Sequence, residues 1–298
     1  MGMPSSGDAV DAIVLFGGDG TIHRHLSQLV KLGLPVLVVP AGSGNDFARA
    51  LGLRRVRDSL AAWERFCQGT ANVREIDLGT ITSWKKAQSA AGDSRLETQD
   101  SGLGTRYFAC VAGIGLDGEV SRRANGLPRW LRGHGGYVLS LLPAIFQFAP
   151  FRMKIQVSHE NAAGGPQWTT RRDLPGLDQS KLDQLGLDRA TLLAAFANTP
   201  VYGGGMKIAP QAKMDDGLLD VCIVGGVGAF KLFCMFPTVY SGRHLKIREV
   251  DYLQAQRVRV QTEHPLDVYA DGEYVCRTPV EIGVQKAVLK IIAGVPAL

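Results

Sequence analysis

Residues 12–50 read AIVLFGGDGTIHRHLSQLVKLGLPVLVVPAGSGNDFARA, and this stretch decides the first part of the fold. Ala12–Phe16 is an unbroken apolar run stopped by Gly17, the pattern of a strand buried on both faces in a parallel sheet. Ile22, Leu26, Leu29 and Val30 then fall at helical spacing over Thr21–Lys31, and Gly33 is a stop signal. Pro35–Val39 is a second buried strand and Pro40–Asn45 a glycine-rich loop. Asp46–Leu51 begins another helix, which Ser59–Cys67 continues. Short loops in β-α-β-α order imply parallel strands joined by a right-handed crossover. Both glycine loops therefore lie at the carboxyl ends of neighbouring strands, where open α/β sheets bind ligands.

The residues of those loops suit phosphate. In Gly17-Gly18-Asp19-Gly20-Thr21 the glycines let the backbone approach a ligand without Cβ clash, and successive amides at a helix start form an anion cradle. Asp19 would repel bare phosphate, so a divalent cation is expected between the carboxylate and the phosphates. The plainer reading is a tight strand-to-helix turn. Gly42-Ser43-Gly44-Asn45-Asp46 repeats the logic one strand over, with a hydroxyl, an amide and a carboxylate. Its plainer reading is a helix cap by Asn45 or Asp46. The chain has no GxxxxGK[ST] P-loop.

From Val73 onward the texture changes to alternating, strand-like runs at Arg74–Ile81, Arg106–Ala112, Phe151–Ser158, Thr191–Asn198, Leu218–Val224, Arg257–Gln261, Leu266–Ala270, Tyr274–Arg277 and Ala287–Ile292. Ser83–Thr105 and Ala162–Gln184 read as polar insertions, Arg122–Gly136 as a basic loop and Gly136–Phe148 as a helix. The apolar runs Tyr137–Phe148 and Phe230–Val239 are too short to span a bilayer and read as core or interfacial helices.

Composition sets the outer bounds. In 298 residues, 45% hydrophobic and 20% charged, usage is globular. Residues 1–78 balance 8 Lys and Arg against 8 Asp and Glu, so the net +5 lies wholly downstream. That excess fits anionic phosphates, a nucleic acid, a membrane surface or a solvated basic face. Five scattered cysteines form neither a disulfide framework nor a zinc pattern, which fits a reducing cytoplasm. Met1–Ala9 is small and polar and carries no signal pattern. His23 and His25 lie two apart on the first helix and do not face each other, so they read as surface or cleft residues rather than ligands.

GGDGT followed by PAGSGNDFAR resembles the diacylglycerol kinase catalytic domain family, which includes bacterial lipid kinases and sphingosine kinases. EIDLG at Glu75–Gly79, FACVAGIGLDGEV at Phe108–Val120, NTPVYGGGMKIAPQAKMDDGLLDV at Asn198–Val221, ADGE at Ala270–Glu273 and the closing VLKII match in order. The resemblance implies a Rossmann-like α/β nucleotide-binding domain at residues 1–74 and a β-rich, sandwich-like lipid-substrate domain at 75–298. It implies transfer of the γ-phosphate of ATP to a lipid hydroxyl, with Mg2+ as cofactor. By the same resemblance Gly17, Gly18, Asp19, Gly20, Thr21, Gly42, Ser43, Gly44 and Asn45 hold the nucleotide, and Asp19 and Asp46 place magnesium, directly or through water. Asp77 matches an acidic position near the same cleft. Glu273 is implied as general base, with Asp271 and Asp46 beside it in the catalytic set. Residues alone favour a hairpin turn at Asp271-Gly272. The loop at Lys213–Leu218 matches a second, structural magnesium site, with the Asp216 side chain and the Lys213 and Leu218 carbonyls as ligands. Its plainer reading is a turn.

Arg122, Arg123, Arg129 and Arg132 around Leu127, Trp130 and Leu131 suggest contact with an anionic membrane surface. Expected partners are therefore a membrane-borne lipid and no nucleic acid. A homodimer is allowed, and the expected location is the cytoplasm with peripheral contact at the inner membrane face. Two departures stand out. Only 16 residues precede Gly17, where the family carries a further strand and an Asn-Pro-x-(Ser/Ala)-Gly loop, so the first domain reads as truncated, by a misassigned start or real loss. Arg24 stands where the family often has Glu. The alternatives are an inactive nucleotide- or lipid-binding remnant and an NAD kinase-like enzyme.

Overall fold

The computed structural model describes residues 10–83, 104–126, 143–160, 166–170 and 190–294. Strands β1 (Ile13–Gly17) and β2 (Val36–Pro40) pair in parallel, from Ile13 opposite Val36 to Gly17 opposite Pro40. Helix α1 (Asp19–Leu32) makes the crossover and buries Ile22, Leu26 and Leu29. Gly33, at φ 64°, ends it by donating its amide to the Leu29 carbonyl, a left-handed cap that glycine adopts without Cβ strain. The expected continuous second helix is two helices, α2 (Asp46–Ala50) and α3 (Val56–Cys67). Gly52 turns the chain at φ 78° between them, and Leu53 plunges fully into the core, which a continuing helix would not permit.

The rest is a sandwich. One sheet holds β3 (Val73–Ser83), β4 (Arg106–Phe108), β6 (Phe151–Glu160), β7 (Pro166–Thr170), β11 (Arg257–Thr262) and β14 (Val280–Ile292). The other runs β10 (Val250–Ala255), β9 (Leu219–Gly225), β8 (Ala190–Ala197), β5 (Val111–Gly115), β12 (Asp267–Ala270), β13 (Glu273–Arg277). Ile81, Val258 and Ile282 from the first face Ile114, Phe196 and Val268 from the second in a dry core. The last strand closes the molecule. Most of β14 pairs antiparallel with β3, and its end reaches β2, Ile291 opposite Val36 in parallel. The sandwich is thus hydrogen-bonded to the parallel strands that carry the glycine loops.

Several expected elements differ. Arg106–Ala112 is not one strand: it breaks at Ala109 and Cys110, whose amides leave the ladder for a side chain described below. Val250–Ala255, not expected, is the strand β10. The first residues of the expected basic loop belong to helix α4 (Leu116–Gly126), because Glu119 holds Arg122 and Arg123 one turn on. Within Ala162–Gln184, Pro166–Thr170 is strand β7. Leu127, Arg129, Trp130, Leu131 and Arg132 lie outside the described residues, as does most of Ser83–Thr105. Helix α5 (Ala229–Ser241) is the apolar helix expected near Phe230–Val239. Among the described residues, no helix is long and apolar enough to cross a membrane.

Candidate active site

The two glycine loops touch. A Cβ placed on Gly42 would stand 2.4 Å from the Gly18 Cα, so only glycine backbones pass this closely. Asn45, at φ 56°, clips its own loop by accepting the Gly42 amide at 2.9 Å and donating to the Gly42 carbonyl at 2.6 Å. Asp19 crosses from the first loop to the second. Its carboxylate accepts the amides of Asp46 at 3.1 Å and Phe47 at 3.0 Å. The donors that start α2, which its own N-cap side chain leaves unmet, are therefore satisfied from the neighbouring strand's loop. Asp46 in turn pairs with Arg49 and accepts the amide of Gly204 at 2.8 Å.

The opposite wall comes from the sandwich. β12 and β13 are joined by Asp271 and Gly272, at φ 51° and 83°, a two-residue hairpin with both central residues left-handed. The turn reading is correct, and the turn also faces the glycine loops. Asp271 is held on all sides. Its carboxylate accepts the amides of Ala109 at 2.8 Å, Cys110 at 2.8 Å and Val111 at 3.2 Å, and His23 Nδ1 lies 3.1 Å away. This explains the break between β4 and β5. Asn198, fully buried, braces the break by donating to the Ala109 and Asp77 carbonyls.

Glu273 is different. A Cβ on Gly20 would stand 2.8 Å from Glu273 Oε1, so this carboxylate sits directly over the first loop. No described residue hydrogen-bonds it. One carboxylate of the hairpin is fixed, and the other is left available at the cleft.

Between these walls is a cleft of about 370 Å³. Gly18, Asp19, Gly20, Thr21, Gly42, Ser43, Gly44 and Asp46 line it on one side, Asp271 and Glu273 on the other. Among the described residues, Asp19, Asp46, Asp117, Asp271 and Glu273 line the cleft, against Arg24 as the one Lys or Arg. Burial raises the Asp19 carboxyl above its ordinary value against the pull of two amides, and Asp46 and Asp271 raise it further. Burial pushes the Cys110 thiol well up, with the charges of Asp271, Asp19 and Asp46 adding to it. These residues fit a divalent cation carried with phosphates: the glycine backbones give room and amides, and the lining is rich in carboxylates, of which Asp46 pairs with Arg49 and Asp271 with His23. Among the described residues, no three His, Cys, Asp or Glu side chains cluster as a metal cage, so a cation here would draw its remaining ligands from phosphate and water.

The second expected metal set lies elsewhere. Asp77 does not line the cleft; its carboxylate accepts the amides of Gly217 at 2.7 Å and Ala287 at 2.8 Å. Asp216 accepts the Leu218 amide at 3.0 Å, and Gly217 turns the chain at φ 73°. The Lys213–Leu218 loop is thus a turn pinned from beneath by Asp77. Arg24 donates Nε to the Gly20 carbonyl at 3.0 Å.

Several further residues contribute to the site. Asp117 accepts the Tyr202 hydroxyl at 2.8 Å. Gly203 and Gly204, at φ 56° and 88°, bring the Gly204 amide to Asp46; the run of three glycines after Tyr202 was the available signal. Tyr202 and Asp117 also wall a second, apolar cavity of about 70 Å³ beneath the cleft, lined by Leu193, Met206, Leu232, Met235 and Phe236 among others.

Comparison with known proteins agrees with this layout. Residues 5–81 match the diacylglycerol kinase catalytic domain, and residues 110–293 match the YegS C-terminal NAD kinase beta sandwich-like domain. The chain is 32% identical over 284 residues to a diacylglycerol kinase of Mycobacterium tuberculosis strain H37Rv, covering 95% of this chain and 76% of that protein. It is 26% identical over 266 residues to a diacylglycerol kinase of Bacillus subtilis strain 168, covering 89% and 71%. A crystal structure of a protein assigned as a diacylglycerol kinase from Bacillus anthracis str. Sterne superposes with a TM-score of 0.66 at 22% identity, covering 97% of this chain and 79% of that one, which supports the fold. With both halves matched in order and a relative 32% identical over 95% of this chain, the chain belongs to the diacylglycerol kinase catalytic domain family of lipid kinases.

Proposed function

We propose that this protein transfers the γ-phosphate of ATP to the hydroxyl of a diacylglycerol-like lipid in a magnesium-dependent reaction, with Glu273 as general base. The observation that carries this reading is the position of Glu273, free of hydrogen bonds from described residues, over Gly20 of the phosphate-type loop. The names of the relatives support the reaction class. The apolar cavity that shares Tyr202 and Asp117 with the cleft supports an acceptor with a greasy body and a polar end.

In this mechanism the amides and glycines of residues 17–21 and 42–44 receive the phosphates. Asp19 and Asp46 would hold the magnesium, directly or through water. Bound there, magnesium supplies charge neutralisation to the phosphoryl oxygens. Arg24, at the same wall, adds positive charge. Asp271 positions: anchored by three amides and His23, it fixes the hairpin so that Glu273 meets the acceptor. Glu273 takes the proton of the lipid hydroxyl as its oxygen bonds to the γ-phosphorus and the bond to the β-phosphate oxygen breaks, releasing ADP. Phosphoryl transfer has a loose transition state, so positioning and charge contribute most, and the base about 10²–10⁴-fold.

Transfer of labelled phosphate from Mg-ATP to diacylglycerol, phosphatidylglycerol, a sphingoid base and NAD in parallel tests the proposal. Label in one lipid supports it and names the acceptor. Label in NAD alone, or in no acceptor, contradicts it.

A further inference from the structure

Helix α5 is apolar on two opposite faces. Leu232, Met235, Phe236 and Val239 point inward and line the apolar cavity. Phe230, Phe233, Pro237 and Tyr240, at i, i+3, i+7 and i+10, form a second stripe that faces outward. Phe230 is 78% exposed, Phe233 45% and Tyr240 40%. Single exposed apolar residues need no explanation, but three aromatic rings in one helical stripe form a surface that water disfavours.

Charge says what covers it. Just past the helix, Arg243 and Lys246 are both exposed. The acidic neighbour Glu249 is already paired with Lys231 of α5 at 2.8 Å. Aromatic rings beside a cluster of cations match the boundary of an anionic bilayer, where rings enter the headgroup level and cations meet phosphate. The inner face of the helix lines the cavity, which shares Tyr202 and Asp117 with the cleft.

We propose that the outer face of α5 docks on anionic lipid bilayers, through Phe230, Phe233 and Tyr240 with Arg243 and Lys246, so that a lipid passes from the membrane beside α5 into the apolar cavity. This deepens the lipid-kinase reading by naming its membrane-facing surface, and it rests on that reading for its purpose.

Co-sedimentation of the purified protein with phosphatidylcholine vesicles, with and without phosphatidylglycerol, tests it. The wild type is expected to bind the anionic vesicles and to release them at high salt. The double variant Phe230→Ser, Phe233→Ser is expected to lose binding by on the order of tenfold or more, and Arg243→Gln, Lys246→Gln to lose the preference for anionic vesicles. Both pairs are exposed, so melting temperatures are expected to stay at the wild-type value. Turnover of a short-chain, dispersed diacylglycerol is expected to be unchanged. Vesicle binding that is absent in the wild type, or undiminished in the Phe variant, overturns the proposal whatever the kinase assay shows. A dimer in sedimentation velocity that the Phe variant dissolves, without vesicle binding, assigns the face to a second copy and overturns it too. Vesicle binding that follows α5 in a protein inactive on every lipid leaves the surface standing and removes the kinase.

Discussion

His23 Nδ1 lies 3.1 Å from Asp271 Oδ2, joining the helix that follows the first glycine loop to a hairpin 248 residues further along the chain. The pair is mostly buried, with 13% of the His23 and 2% of the Asp271 side chain exposed. It ties the first helix to the β12–β13 hairpin. Burial alone would lower the proton affinity of His23. The hydrogen bond and charge of Asp271, with Glu273 adding, outweigh it, so His23 is raised above 6.5. The folded protein therefore holds this proton more tightly than the unfolded chain. Its stabilisation is complete below pH 6.5 and is lost as pH rises through the higher folded value. Melting of wild type and His23→Gln across pH is expected to show a gap that is widest under acid and shrinks toward alkaline pH. A gap independent of pH contradicts the ion pair.

Asp271→Asn places an amide group where three main-chain amides and an imidazole need an acceptor. Loss of stability of about 2–4 kcal/mol is expected in urea denaturation, because buried donors are left unmet. Activity is expected to fall with it, since the hairpin that carries Glu273 loses its anchor. An unchanged midpoint would mean that the three amide bonds do not hold the hairpin.

The contact between the glycine loops is backbone against backbone. Gly42→Ala drives a Cβ to 2.4 Å from the Gly18 Cα, and no side chain can rotate away. Destabilisation of about 1–3 kcal/mol is expected, together with weakened ATP binding in calorimetry as the cradle opens. Wild-type ATP affinity in this variant would show that the two loops do not act as one site.

How much of this was readable beforehand depends on the distance over which each feature is encoded. The parallel strands, the crossover helix and both loops lie within residues 12–50, written in apolar runs and glycines, and they fold nearly as read. The sandwich strands were visible as alternation, except β7, which lies inside the expected polar insertion Ala162–Gln184, and β10, where Asp251 and Gln254 interrupt the apolar pattern. The break in Arg106–Ala112 was not visible, because its cause is Asp271, some 160 residues away. Asp19 read as a cation ligand, yet it also caps a helix started by the next loop, a partnership that only the β1–β2 pairing creates. The pairing of Glu119 with Arg122 and Arg123 was available at helical spacing, and reading it would have turned the basic loop into a helix.

Asp77 offers a test between a structural carboxylate and a metal ligand. It receives the amides of Gly217 and Ala287 and is 3% exposed. Asp77→Ala is expected to cost about 2–4 kcal/mol of stability, while the folded fraction keeps its dependence on magnesium concentration. A shifted magnesium requirement with unchanged stability would return Asp77 to the metal site.

On the proposed mechanism Glu273, whose carboxylate accepts no hydrogen bond from the described residues, takes the acceptor's proton at the phosphate cradle. Single-turnover transfer of γ-phosphate from Mg-ATP to the accepted lipid, wild type against Glu273→Gln, measures this directly. A fall in rate of about 10²–10⁴-fold is expected, with ATP affinity and melting temperature unchanged. Transfer by Glu273→Gln at the wild-type rate would contradict it.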